Sequence, residues 1–297
     1  MKEHLFLLQI LLQDNTQGMS PGEVLFYSSL TIVIAFVFYR ISRYAPARDY
    51  YFNRMKWRTP VARNEFLVIQ EILTSKFSYY NCLSQNGKAK FINRLHDFVS
   101  TKHFVGKEGQ EITNEIKILI AASATQLSFG LDNFIFSLFH TIFVYPHEFY
   151  SKLLRTELKG ATYGNGVIAL SWSDFKKGYE IPDDRINLGL HEMAHALKLD
   201  VFLGDDFDNR FAENITELIE VSTDEFSKIR DGQQSFLRAY GGRNENEFFA
   251  VCVEHFFELP AQFKQKLPGI FDHLCVLLNQ NPINKTSDYS YKSESSW

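Results

Sequence analysis

The chain has 297 residues, 45% of them hydrophobic and 15% aromatic, which is enough for one large domain or two small ones with a sizeable core. Its formal net charge of −4 gives no basic surface for direct nucleic-acid binding. The three cysteines, Cys82, Cys252 and Cys275, contain no Cys-x-x-Cys pair, so neither a disulfide framework nor a zinc finger is expected.

An uncharged apolar run at residues 24–39 predicts a single transmembrane helix over residues 24–41. A buried core helix or an interfacial helix is the alternative. The flank that follows is rich in basic residues (Arg40, Arg43, Arg48, Arg54, Lys56 and Arg58), whereas only Lys2 precedes the run. The positive-inside rule then places residues 1–23 outside the cytoplasm and the rest inside. We therefore predict a single-pass protein of the cell inner membrane, or a cytoplasmic protein if the segment does not span.

After a basic linker at residues 42–59, hydrophobic periodicity predicts a helical part followed by a section rich in strands. Helices are expected at residues 61–73, 89–100 and 113–126, and strands within 141–172, where Gly164-Asn165-Gly166 indicates a hairpin. Further helices are expected at residues 186–199, near 215–240 and after 244. Residues 284–297 are rich in Ser and Lys and are predicted to be a disordered tail.

The predicted helix at 186–199 contains His191-Glu192-Met193-Ala194-His195, an HExxH motif. Residues four apart share one face of a helix, so both imidazoles can reach one metal ion while Glu192 lies beside them. Two His ligands and a carboxylate that takes a proton from the attacking water are typical of zinc hydrolases. The alternative is a helix with two satisfied histidines and a surface glutamate.

A third ligand is predicted on the helix that follows Asn244. Asn244 and Glu247 resemble a capping box, and Glu254 interrupts an otherwise apolar run. A buried carboxylate is costly unless it is paired or binds a metal, so Glu254 is the candidate ligand. It could instead be satisfied by an arginine or by the backbone, or lie on an exposed stripe of the helix. His255 is a rival ligand, although its side chain points about a quarter-turn away.

These segments resemble the Mlc titration factor A family of zinc-dependent peptidases, whose likeness to the chain extends from about residue 51 to 282. It is carried by the HExxH motif and by residues 246–251 leading to Glu254. The resemblance implies that His191, His195 and Glu254 bind Zn²⁺ and that Glu192 is the catalytic base. It also implies a gluzincin-type core. One departure is that Lys198 stands where the family has Asp, so either Asp200 or another group must orient a ligand histidine.

Two further residues and one strand complete the predicted site. Strand 167–172 is the candidate for pairing with an extended peptide substrate. Trp172 lines the cleft or, as the plainer alternative, packs as an aromatic anchor. Tyr240 is the candidate donor to the developing oxyanion, since the family also has a Tyr near this place; an ordinary packed Tyr is the alternative.

The predicted fold is α+β, with a helical N-terminal part, a zincin-like metallopeptidase core at residues 60–283 and one N-terminal transmembrane helix. The predicted function is a membrane-anchored zinc metallopeptidase acting on a peptide or protein. The alternative function is a regulatory binding protein, because the family's namesake resembles a sequestering factor for a transcriptional repressor.

Overall fold

The computed structural model describes residues 61–152, 155–204 and 209–291, together with Ser20 and Gly22. The chain divides into two compact units, Met1–Thr59 and Pro60–Trp297, and every element named below belongs to the second. Within the described ranges, no helix is both long and apolar enough to span a bilayer. The predicted transmembrane helix at residues 24–41 lies outside those ranges, as does the basic linker, and both stay predictions.

The N-terminal part of the second unit is helical, as predicted, and consists of α1 (Arg63–Lys76), α2 (Ser78–Asn81), α3 (Gln85–Thr101) and α4 (Asn114–Ser128). Side chains cap the two longest: Ser84 accepts a hydrogen bond from the Gly87 N–H, and Thr113 accepts one from Ile116. Helix α4 is buried along most of its length and contacts both the α1–α3 layer and the helix that contains the HExxH motif. It therefore forms the support on which the site rests.

The main sheet has four strands in the order β1 (His103–Gly106), β2 (Thr141–Tyr145), β6 (Val167–Ser171) and β5 (Gly160–Tyr163). The strands β1, β2 and β6 are parallel, and β5 runs antiparallel to β6. The predicted hairpin is confirmed: its turn includes Gly166 at φ 88°, a conformation that suits glycine. A second, two-stranded sheet consists of β3 (Phe149–Ser151) and β4 (Thr156–Leu158). The unit therefore contains both helices and sheet, as the predicted fold class requires.

Helices form the rest of the unit: α5 (Trp172–Glu180), α6 (Leu188–Leu203), α7 (Asn209–Arg230), α8 (Glu245–Glu258), α9 (Pro260–Lys266) and α10 (Pro268–Leu278). The prediction of one helix from 215 to 240 is wrong at its end, because α7 stops at Arg230 and Gly232 follows at φ 75°. Tyr240 lies instead in a short 3₁₀ helix, Ala239–Gly242. Helix α6 contacts α4, α8 and the β5–β6 hairpin, so the motif lies at the centre of the unit.

The ordered unit extends beyond residue 284, where a disordered tail was predicted. Tyr289 is buried and stacks on Tyr79 with ring centroids 4.1 Å apart. The Asp288 carboxylate accepts hydrogen bonds from the N–H and the hydroxyl of Ser84, each at 2.6 Å. The composition of residues 284–297 does not predict this order, because it depends on contacts that two side chains, Asp288 and Tyr289, make with a distant part of the chain. Residues 292–297 lie outside the described ranges.

Candidate metal centre

The helix that contains the HExxH motif is fixed at its start by Asn187. Its side-chain oxygen accepts a hydrogen bond from the Leu190 N–H at 3.0 Å, and its side-chain nitrogen donates to the Gly178 carbonyl at 2.9 Å. Most of α6 is buried, which restricts its rotation about its own axis. His191 and His195 therefore project from one face, a single turn apart, toward α8.

Three side-chain atoms converge at this face. The Nε2 atoms of His191 and His195 are 3.1 Å apart, and Glu247 Oε2 lies 3.0 Å from the first and 3.4 Å from the second. Zinc–nitrogen bonds of about 2.0–2.1 Å in a tetrahedral site place neighbouring ligand atoms about 3.3 Å apart. The triangle of donor atoms therefore matches one face of a tetrahedral metal site, and the chemistry of two imidazoles and one carboxylate suits zinc.

Glu247 completes this group of donor atoms, and Glu254, the predicted third ligand, lies outside it. Glu254 is buried, and its Oε2 lies 3.3 Å from Nδ1 of His191, on the ring nitrogen opposite the triangle. Its Oε1 accepts a hydrogen bond from the Asn187 N–H at 2.9 Å, and its Oε2 accepts one from Arg238 Nη2. The alternative considered for Glu254, a buried carboxylate satisfied by an arginine and the backbone, is what the structure shows.

The two glutamates take different places because they are seven residues apart on α8. That separation keeps both on the face toward α6 but displaces them by about 10 Å along the helix axis. Glu247 thus reaches Nε2 of His191, and Glu254 reaches Nδ1. In the sequence, Glu247 stands three residues after Asn244, at the position of the acidic residue in a capping box. The cap itself is present, since Asn244 accepts from the N–H groups of Asn246 and Glu247, but the Glu247 carboxylate turns toward the histidines.

The two carboxylates set the charge of His191. Burial disfavours its imidazolium form, but hydrogen bonds to Glu247 and Glu254 outweigh that effect and raise the pKa of His191 to about 10. Burial also favours the neutral form of Glu247, yet hydrogen bonds from His191 and His195 hold the pKa of Glu247 well below its usual range. The group therefore favours positive charge between the two carboxylates, and a bound cation would also supply positive charge there.

Glu192 lies on the side of α6 that faces the sheet. Its carboxylate is buried, and burial raises its pKa, while electrostatic interaction with His191 and His195 opposes that shift. Thr162 on β5 donates a hydrogen bond to Glu192 Oε2 at 2.8 Å. Gly160 lies directly against this carboxylate. The sequence does not predict a role for Thr162 or Gly160, because no sequence pattern shows that β5 packs against the helix of the motif.

The remaining predicted residues divide between the site and the core. The Tyr240 ring lies 5.8 Å from that of His191, beside the site, so its proposed role stays a prediction. His255 is not among the three residues whose donor atoms converge, and its Nδ1 bonds the Val251 carbonyl. Trp172 stacks on Phe175 at the start of α5, as the plainer alternative states.

The side chains of Lys198 and Asp200 bond groups other than the two histidines of the motif. Lys198 Nζ donates to the Asn246 side chain at 2.8 Å and so links α6 to the start of α8. Asp200 accepts from the Leu138 N–H at 2.6 Å and from the Ser137 hydroxyl at 3.3 Å. The carboxylate that orients His191 is Glu254.

The outer strand beside the motif is β5, not the predicted strand 167–172. Strand β6 lies between β2 and β5 and pairs with both, so its two edges are occupied. Strand β5 ends the sheet order and contacts α6 directly. The reason is the topology of the hairpin. Its second strand, β6, pairs with β2, so its first strand, β5, is the outer one.

A helix with two histidines, joined by an acidic residue from a neighbouring helix, is the arrangement of metal-dependent peptidases. The model of one such family, described as glucose-regulated metallo-peptidase M90, matches residues 53–277, and the chain belongs to this family.

Relatives of the chain are similar over most of its length. An uncharacterized protein of Synechocystis sp. is 27% identical over 217 residues, which cover 64% of the chain and 75% of the relative. Mlc titration factor A of Escherichia coli O1:K1 is 25% identical over 226 residues, covering 69% of the chain and 83% of the relative. The protein of the same name from Shigella flexneri serotype 5b is 24% identical over the same length and coverage. The resemblance seen in the sequence is confirmed.

Proposed function

We propose that this protein is a zinc-dependent peptidase with a zincin-like core. The observation that carries the proposal is the triangle of His191 Nε2, His195 Nε2 and Glu247 Oε2, with edges of 3.0–3.4 Å, beside the buried carboxylate of Glu192. Three protein ligands that leave a coordination position open are typical of catalytic zinc. Membership of a metallopeptidase family supports the same reaction class.

Each residue of the group then has one task. Zinc, when bound, would polarise the scissile carbonyl and lower the pKa of a coordinated water toward about 7. Glu192 accepts the proton of the attacking water and passes it to the leaving amine. Glu254 accepts the Nδ1 proton of His191, which directs the Nε2 lone pair toward the metal position. Tyr240, beside His191, donates to the developing oxyanion.

The substrate of the proposed peptidase binds along β5. Strand β5 pairs with β6 on one edge and is the outermost strand of its sheet. An extended peptide that adds to the other edge forms main-chain hydrogen bonds, which tolerate many sequences. It would also lie next to α6, since Thr162 of this strand touches Glu192. The proposed substrate is therefore an extended segment of a peptide or protein.

Metal removal tests the proposed reaction. We expect the purified domain to contain about one zinc per chain and to cleave members of a random peptide library. Dialysis against a chelator should abolish cleavage, and a stoichiometric addition of zinc should restore it. Mass-spectrometric cleavage maps and elemental analysis measure both. A zinc-loaded, folded protein that cleaves no peptide in the library would contradict the proposal.

We also propose that residues 24–41 anchor the protein in the cell inner membrane with the catalytic domain in the cytoplasm. The support is the uncharged run at 24–39 and the basic residues that follow it. Full-length protein should sediment with membranes and resist extraction by high salt, whereas a variant lacking residues 1–59 should stay in the supernatant. Digestion of the catalytic domain by protease added outside intact cells would reverse the orientation. Recovery of the full-length protein in the soluble fraction would contradict the proposed membrane anchor.

A regulatory function is the second candidate, and a named relative favours it. The name Mlc titration factor A describes a protein that titrates Mlc, and such a protein is about 25% identical to this chain. In this alternative the chain binds a transcriptional repressor and catalysis is secondary. The two functions differ in what they require of Glu192, since binding a repressor needs no general base.

A further inference from the structure

The carboxylate of Glu192 lies against β5, where Thr162 bonds one of its oxygens and Gly160 faces the other. The Thr162 hydroxyl donates to Glu192 Oε2 at 2.8 Å, and the same hydroxyl lies 3.2 Å from the main-chain carbonyl of Glu192. The other carboxylate oxygen faces Gly160. These contacts join β5 to Glu192, which stands in the sequence between the two predicted histidine ligands, His191 and His195.

Gly160 provides the space for this carboxylate. A Cβ atom added to Gly160 would lie 2.7 Å from Glu192 Cγ and from Cδ, well inside van der Waals contact. The backbone of Gly160 is not in the left-handed region, so glycine is not required there for its conformation. Close approach to Glu192 is what requires it.

Gly160 and Thr162 are two residues apart on one strand, so both point to the face that α6 covers. Glu192 is 4% exposed, and so no bulk water competes for its hydrogen bond with Thr162. A buried carboxylate that lost this donor would be poorly solvated and free to take another rotamer. The strand thus limits the orientations that the Glu192 side chain can adopt.

We infer that Thr162 is a positioning residue for Glu192 and that Gly160 leaves room for the base beside the metal site. This inference rests on the proposed function, in which Glu192 is the general base. It also assigns β5 a second role, because the strand proposed to bind the substrate is the one that orients the base. The position of the base is thereby tied to the position of the substrate backbone.

Substitutions at Thr162 separate the hydroxyl from the shape of the side chain. Thr162→Val keeps the shape and removes the donor, and we expect kcat to fall about 10-fold or more with KM changed little. Thr162→Ser restores the donor and should return kcat to within about threefold of the parent protein. Zinc content and melting temperature should be preserved in both. Thr141→Val, on a strand separated from β5 by β6, is the matched control and should leave kcat unchanged.

A double substitution tests whether Thr162 acts through Glu192. In a Glu192→Gln background, adding Thr162→Val should cause no further loss, because the group that the hydroxyl positions is already inactive. An equal loss in both backgrounds would overturn the inference and give Thr162 an independent role. So would wild-type kcat in the Thr162→Val protein.

Crystal structures of the zinc-loaded variants give a readout that does not depend on activity. We expect the Glu192 carboxylate to keep its place in Thr162→Ser and to leave it in Thr162→Val and Gly160→Ala. An unmoved carboxylate in both of the latter variants would overturn the inference, whatever the peptidase assay shows. A moved carboxylate in a protein that cleaves no peptide would support the positioning role while the proposed function failed.

Discussion

Replacing Glu192 by glutamine should leave the metal bound and lower peptidase activity by about 100-fold or more. Glu192 is not in the triangle of His191, His195 and Glu247, so metal affinity should change little. An amide cannot accept and return the water proton, and the loss is on the scale of general-base assistance. Elemental analysis of the purified variant and kcat/KM on a cleaved library peptide measure the two effects.

The same variant separates the proposed enzyme from the proposed binding protein. Glu217→Gln, at an exposed position of α7, is the matched control and should leave activity unchanged. If the protein sequesters a repressor, the Glu192→Gln variant should still bind that repressor in a pull-down. It should also still remove the repressor from its target promoter. Unchanged peptide turnover in Glu192→Gln would show that Glu192 is not the base and would move the function toward binding.

Much of the architecture could be predicted because its determinants are local. Helical periodicity located α1, α3 and α4 to within a few residues, and a Gly-Asn-Gly turn located the β5–β6 hairpin. The end of α7 was misplaced because amphipathic periodicity does not show where a helix stops. The packing of residues 284–291 was missed because Tyr289 meets Tyr79 from the opposite end of the unit's sequence.

In the site, too, features set by local sequence spacing were predictable, whereas features set by contacts between distant segments were not. The i, i+4 spacing of His191 and His195 is local, and the structure brings their Nε2 atoms within 3.1 Å of each other. A carboxylate from α8 was also expected, since Glu254 interrupts an apolar run. Which of two glutamates on one face of α8 meets Nε2 depends on how far that helix is displaced along α6. This displacement is a property of tertiary packing, and no spacing within α8 encodes it.

Removal of Glu247 and removal of Glu254 should therefore have different effects on zinc. Glu247→Ala deletes one of three atoms in the triangle, and we expect the purified protein to lose most of its zinc and its activity. Glu254→Gln keeps the shape of a group that meets His191 at Nδ1 and lies outside the triangle of donor atoms. It should retain zinc near one per chain, with an affinity reduced by about 10- to 100-fold, as is typical for a group that orients a ligand.

Zinc titrations with a competing chelator, on both variants and on the control Glu217→Gln, distinguish the two glutamates. Melting temperatures recorded without metal show whether either change merely unfolds the domain, which matters because Glu254 is buried beside Arg238. Full zinc occupancy in Glu247→Ala together with an empty site in Glu254→Gln would return Glu254 to the ligand set. That result would require α8 to shift by about two turns along α6 when the metal binds, since the seven residues between the two carboxylates span about 10 Å of helix. The contacts of Asn187 and Arg238 with Glu254 oppose such a shift, and we therefore expect Glu247 to be the ligand.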